Sequence, residues 1–272
     1  KKPTYSQQWH EYNLAQTKEK LTVMALLDEL LFFFPLLKQP MIKSKGRPAF
    51  SLRDGIFCMI LKLYEGRSSR RIQSDLELSR RAGHIERVPH FNTLLNLLKD
   101  QHITPFLKEL ITLSALPLKL VESQFAADST GFSTSCFERW YDIRIASDSM
   151  KRKFMKCHAM VGTTTKIITS IEITEGHYGD SPEFSKLVDK TSKHFDVWEV
   201  SAYKAYSSRE NLSVVDKIGA VPFIPFKSNA RPTKKSVQIW RTMYEMFERD
   251  FERFYQSYHR RSSVEASFSM IK

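Results

Sequence analysis

The order of the apolar runs in the second half of the chain constrains its fold more than any other feature. Residues 123–131, 156–163 and 166–174 are three short runs that read as strands, the last two joined tightly at Thr164 and Thr165. Ser181-Pro182-Glu183 then opens a helix to about residue 194, with Pro at the first helical position. Residues 197–206 read as a strand and its exit, 207–217 as a helix and 221–226 as a strand. Residues 240–255 follow as an aromatic-rich helix. Strands first consecutive and then alternating with helices read as an α/β domain with a mixed sheet.

The residues before this region read differently. Residues 1–20 are polar and expected to be loose, and 21–37 form an apolar helix. A basic stretch, 43–48, separates it from a helix that Ser51 caps, with Asp54 three residues on and Gly66 at its end. Residues 68–78 and 91–98 are two further helices, with Arg70, Arg71, Arg80, Arg81 and Arg87 on or between them, and 104–118 is a connecting helix. This places a helical domain at 1–118 and the α/β domain at 119–272. Helix, Gly turn and helix with arginines on the second is compatible with a helix-turn-helix, though small helical bundles share that pattern.

The last fifteen residues, YHRRSSVEASFSMIK, contain no Gly or Pro and read as one helix packed by Val264, Phe268 and Ile271. At about 100° per residue, Tyr258, Arg261, Glu265 and Lys272 fall within about 60° of one another. One phenol, two cations and one carboxylate aimed together suit phosphodiester chemistry: the acid can hold a divalent cation and the cations can grip phosphates. Taken alone, the same residues are a solvated face with an i, i+4 Glu–Arg pair.

Tyr, two residues, Arg, three, Glu, six, Lys resembles the signature of insertion-sequence transposases of the DDE type, whose catalytic domain is ribonuclease H-like. The resemblance implies that Glu265 is the third of three metal-binding acids and that Tyr258, Arg261 and Lys272 serve DNA. It implies the first acid at Asp128, in the context Asp128-Ser129-Thr130; the residues themselves read as a short apolar strand ending in this acid, where α/β folds place chemistry, or as an Asp that starts a turn. The second acid belongs in a context like Asp-Lys-Ala-Tyr. Here the matching residues are Tyr203-Lys204-Ala205-Tyr206, so a tyrosine occupies the acid position and Lys204 follows it as a DNA contact. A phenol is neutral at pH 7 and a poor ligand for Mg²⁺. Glu199 lies four residues back, about 13 Å along the strand, and cannot replace it. Asp180 and His177 read as loop and cap residues.

The implied chemistry is Mg²⁺- or Mn²⁺-dependent cleavage and strand transfer at a two-metal site, impaired in this chain by Tyr203. The implied partners are double-stranded DNA (terminal inverted repeats and target) and a second copy in a synaptic dimer. The alternatives are a catalytically inactive DNA-binding regulator of transposition and a ribonuclease H-like nuclease; a metabolic enzyme finds no cofactor motif. Asp128 and Glu265 are expected to face each other across a shallow basic cleft with Tyr203 beside them.

Charge agrees with a polyanionic partner: the net charge is +12 and the pI about 9.5. With 42% hydrophobic and 26% charged residues the chain is expected to be globular. Cys58, Cys136 and Cys157 lack metal spacing and are expected to be reduced in a cytoplasmic setting, for which the resemblance implies a prokaryotic, nucleoid-associated protein. No run is long enough to span a membrane. A chain without an initial Met that stops inside a helix reads as a fragment.

Overall fold

The computed structural model describes residues 8–34, 50–133, 154–233 and 236–272. The basic stretch 43–48, the aromatic connection with Trp140, Tyr141 and Arg144, Cys136, and Lys234 and Lys235 lie outside these residues. The chain divides into two compact units, Lys1–Leu110 and Ile111–Lys272.

The first unit is helical. Its elements are α1 (Trp9–Phe32), α2 (Leu52–Tyr64), α3 (Gln73–Arg81), α4 (Phe91–Lys99) and the start of α5 (Thr104–Ala115). Ser51 caps α2 by accepting the Asp54 N–H at 3.4 Å. Gly66 (φ +62°) turns the chain towards α3 in a conformation that favours glycine. Leu27, Leu31, Ile56, Phe57, Leu76 and Leu94 are buried within this unit. Its buried carboxylates are answered: Asp54 accepts from Arg53 (3.0 Å) and the Glu86 N–H (2.9 Å), and Asp75 from Lys20 (2.9 Å) and Arg67 (3.0 Å). Helix α1 overturns the expectation of loose chain at residues 9–20, while residues 1–7 lie outside the described residues. Its first half is rich in Glu, Gln and Lys, good helix formers whatever their polarity, and Glu19 accepts from the Tyr64 hydroxyl at 2.9 Å. The second helix begins at Gln73 rather than residue 68.

The second unit is built on a five-stranded sheet in the order β3-β2-β1-β4-β5: β1 (Gln124–Ser133), β2 (Phe154–Gly162), β3 (Ile168–Glu175), β4 (Glu199–Ala202) and β5 (Val221–Phe223). β1 pairs antiparallel with β2, β2 antiparallel with β3, and β1, β4 and β5 run parallel. This is the ribonuclease H-like arrangement that the order of apolar runs anticipates.

Alternation along the strands serves two faces. Phe125, Ala127 and Met160 join the larger core, with Phe184, Leu187 and Val188 of α6 (Ser181–Ser192) and Leu212 and Val215 of α7 (Arg209–Lys217). Trp240 and Met243 of α8 (Gln238–Arg249) and Phe254 of α9 (Phe251–His259) complete it. Ala126, Ala159 and Val161 face the other way and pack against Val264 and Phe268 of α10 (Ser262–Ile271). Burying each of those two side chains stabilises the docking of α10 by about 1.5–3 kcal/mol.

Four further expectations are corrected. β1 continues past residue 131 to Ser133, so Asp128 lies within the strand and not at its end. β5 stops at Phe223, short of Pro225, which has no N–H for a ladder. The helix expected at 240–255 breaks at Asp250, whose carboxylate accepts the Arg253 N–H (3.4 Å) and caps α9. The single helix expected at 258–272 breaks at Arg260 and Arg261, and Ile271 is exposed rather than packed.

Candidate active site

The parallel pairing of β1 with β4 ends at Ala127 and Ala202. β1 runs on alone on that side, paired only with β2, so Asp128 stands at a crevice beyond the carboxyl end of a parallel strand pair. Such crevices collect functional side chains in α/β sheets. Asp128 lies two residues beyond Ala126 and therefore on the face that α10 covers.

The break between α9 and α10 supplies the opposite wall. Arg261 sits in that break and donates from one terminal nitrogen to Asp128 Oδ2 at 2.6 Å and from the other to Glu265 Oε1 at 2.7 Å. One guanidinium thus joins a strand carboxylate and a helix carboxylate that are 137 residues apart. Its carbon lies 5.6 Å from the centre of the Tyr203 ring and 5.8 Å from that of Tyr258. Tyr203 follows β4 directly and is 41% exposed, and the Lys204 ammonium stands 5.8 Å from the same ring. The structure therefore gathers Asp128, Tyr203, Lys204, Tyr258, Arg261 and Glu265. Lys272 goes elsewhere, its ammonium 5.8 Å from the centre of the Phe132 ring.

Burial pushes the Asp128 carboxyl above its ordinary range, outweighing the Ser129 N–H and Arg261, which pull it down. For Arg261, burial works against the charge, but Glu265 and Asp128 overcome it and hold the guanidinium above its usual value.

The register of Glu265 is fixed from the rear of α10. Ser263 Oγ donates to the Thr163 carbonyl and Ser267 Oγ to the Lys166 carbonyl, both at 2.9 Å. The turn that receives them, between β2 and β3, is itself held by Glu122. That buried carboxylate accepts the N–H groups of Thr164 and Thr165. Losing both serine hydroxyls together (Ser263→Ala with Ser267→Ala) is expected to destabilise the domain by about 1–3 kcal/mol, read as a lower urea midpoint.

The transposase DDE domain family matches residues 119–272, more than half of the chain. The chain belongs to this family. No curated protein matches it. Among solved structures it is similar to a piggyBac transposase in a synaptic complex with hairpin DNA, at 14% identity and a TM-score of 0.31. That similarity covers 79% of this chain and 52% of the other, so the chain spans about half the length of that transposase.

DDE transposases in general use divalent metal ions. Whether this chain's side chains suit a pair of ions is decided by its donors. Asp128 and Glu265 are both engaged by the Arg261 guanidinium. Tyr203, which the sequence resemblance aligns with a second acid, is a phenol. Among the described residues no group of three or more His, Cys, Asp or Glu side chains is placed to hold a metal ion. The donor set does not fit a two-metal site.

On the opposite face, Asp180 is not the cap that the sequence suggests. It occupies the N-cap position of α6 without a capping bond from its side chain. Its carboxylate accepts instead from the Ser129 hydroxyl (2.9 Å) and Lys156 (2.6 Å), with His158 Nδ1 at 3.5 Å. It thereby secures the strand residue next to Asp128. The available signal was Ser129 itself, a polar side chain of opposite parity adjoining a candidate acid. His177 is exposed and lies 3.6 Å from Glu175, as a loop residue should. Glu199 pairs with Arg260 at 2.7 Å at the far end of β4, consistent with its exclusion as a substitute acid.

His158 is fully buried, its Nε2 2.9 Å from the Thr174 hydroxyl. Burial lowers its pKa from 6.5; Asp180, Glu183 and Glu172 oppose this and Lys156 adds to it. A lowered folded value means that the unfolded chain takes up the proton first as pH falls. Stability is therefore expected to decline below about pH 6.5. Thermal unfolding from pH 8 to 5 tests this: His158→Gln should flatten the decline, and an unchanged slope would refute the assignment.

Proposed function

We propose that this chain binds the DNA ends of a mobile element through a DDE-type site and, as it stands, cleaves and joins DNA poorly. The reading rests on one observation: Asp128 and Glu265 are brought together by Arg261, with Tyr203 where a second acid belongs. Asp128 and Glu265 would be the acids of the site, Mg²⁺ or Mn²⁺ the ions of an intact one, and Tyr258, Arg261, Lys204 and Lys272 contacts to DNA. A second copy would complete a synaptic dimer.

A cleft of about 1140 Å³ adjoins Tyr203, walled also by Lys204, Lys227, Arg231, Tyr244 and Phe247. Cations beside aromatic faces suit a nucleic-acid backbone and its bases. In the first unit, Arg70, Arg71, Arg80, Arg81 and Arg87 are exposed and add to the same electrostatic reading. The tyrosine at position 203 favours the narrower alternative, a DNA-binding regulator that occupies element ends without cutting them.

The test is duplex binding as a function of salt. Affinity is expected to fall steeply, each neutralised phosphate adding about 0.9 to the slope of log affinity against log salt. Binding should also persist in EDTA. A flat salt response would remove the nucleic-acid reading.

A further inference from the structure

We infer that two copies of this chain pair through α1, antiparallel and with the two-fold axis at Val23, before either meets DNA. The inference goes beyond the DNA reading: it concerns a helix of the first unit and needs neither a nucleic acid nor the residues around Asp128.

α1 carries two separate apolar stripes. Met24, Leu27 and Leu31 are buried, and Lys20 on the same side pairs with Glu65 (2.7 Å) and Asp75 (2.9 Å). At about 100° per residue, Leu14, Lys18, Leu21, Ala25 and Phe32 fall within about 60° of one another, roughly 120° around the helix from that side. Their spacings of four, three, four and seven residues are those of heptad a and d positions, the seam by which one helix meets another. This second seam faces outward: Leu14 is 48% exposed, Leu21 65% and Phe32 60%, and Lys18 and Ala25 are exposed beside them.

The seam is complementary to itself in one direction. Reversed about Val23, Leu14 falls opposite the partner's Phe32, Lys18 opposite its Asp28 and Leu21 opposite its Ala25. Each contact occurs twice, as a two-fold axis requires. Next to the axis, a large side chain meets a small one. Asp28 is held within its own chain by Arg53 and by His84 (3.0 Å). Exposed Glu29, the next residue, therefore supplies the carboxylate that Lys18 reaches. A parallel pair would set Lys18 against Lys18 in the same layer, so charge selects the antiparallel arrangement.

The experiment is sedimentation equilibrium of the full chain, without DNA or metal, over a range of concentrations. The mass is expected to rise from 31.8 kDa towards twice that value. Leu21→Glu enters the interface twice and should weaken association at least about tenfold. Lys18→Glu should weaken it about fivefold, and adding Glu29→Lys should recover most of that loss. Within one chain these two residues lie about 16 Å apart along the helix, so recovery reports a contact between copies. Both charge changes lie on the exposed surface, and they decide the matter should Leu21→Glu disturb folding, which circular dichroism reads. A monomer at every concentration would overturn the inference. So would a dimer indifferent to Leu21→Glu, or a Lys18→Glu loss that Glu29→Lys does not recover. A monomer would leave the DNA reading untouched, and a flat salt response in duplex binding would leave the dimer standing.

Discussion

Tyr203→Asp is expected to speed Mg²⁺-dependent DNA cutting by this chain. The substrate is a labelled duplex built from the DNA that flanks the gene. Asp128 and Glu265 already meet at Arg261, and Tyr203 stands against the same guanidinium. A carboxylate there adds the missing donor and removes the ring that helps to retain Arg261. A correctly held ion is worth several kcal/mol of transition-state stabilisation, and each 1.36 kcal/mol is tenfold in rate, so the gain should be at least about a hundredfold. Adding Glu265→Ala should abolish it. Cutting by the unaltered chain as fast as by Tyr203→Asp would show that the tyrosine is no defect. No cutting by either would favour the DNA-binding regulator.

How much of this was legible in the sequence differs from residue to residue, for physical reasons. Glu265 was proposed because its spacing to Tyr258, Arg261 and Lys272 resembles a family signature, and Asp128 because its Asp-Ser-Thr context does. A mixed sheet with flanking helices followed from the succession of short apolar runs, but its strand order did not. The dual use of Arg261 could not be read: it depends on the helix breaking at Arg260 and Arg261, and helical arithmetic ran straight through that point. Continuous helix would put Arg261 beside Glu265 but fix nothing about its reach to a strand 133 residues earlier. Asp180 was hidden for a related reason. An acid before Ser-Pro-Glu looks like a cap, and only the sheet shows that Ser129 and Lys156 lie above it. Helix α1 was missed because local polarity was read as disorder, although Glu, Lys and Gln form helices readily. Cys58 illustrates the reverse. Its place in α2 made it a core residue, and there burial pushes its thiol up to about 12, keeping it protonated and unreactive.

Gly162→Ala should destabilise the second unit by about 2–4 kcal/mol, more than a methyl group on an open strand would. Gly162 ends β2, and a Cβ built there would lie 2.5 Å from Glu122 Cδ and 2.7 Å from Oε1. The clashing atoms are the end of a side chain, which on a surface would simply swing away. Here it cannot do so freely, because Glu122 is 1% exposed and is committed to the N–H groups of Thr164 and Thr165. Moving it strands a buried charge or unpairs two amides, and either outweighs the added contact of the methyl. The damage should not stay local. The turn that Glu122 holds is the one whose carbonyls receive Ser263 and Ser267, so α10 loses its register and Glu265 its place beside Arg261. Urea unfolding of Gly162→Ala should show a lowered midpoint with an unchanged slope. Combining it with Glu122→Ala, which removes the clash, should add far less than the two single losses together, because both act through one contact. Simple additivity of the two would mean that Glu122 is not what makes glycine necessary at this position.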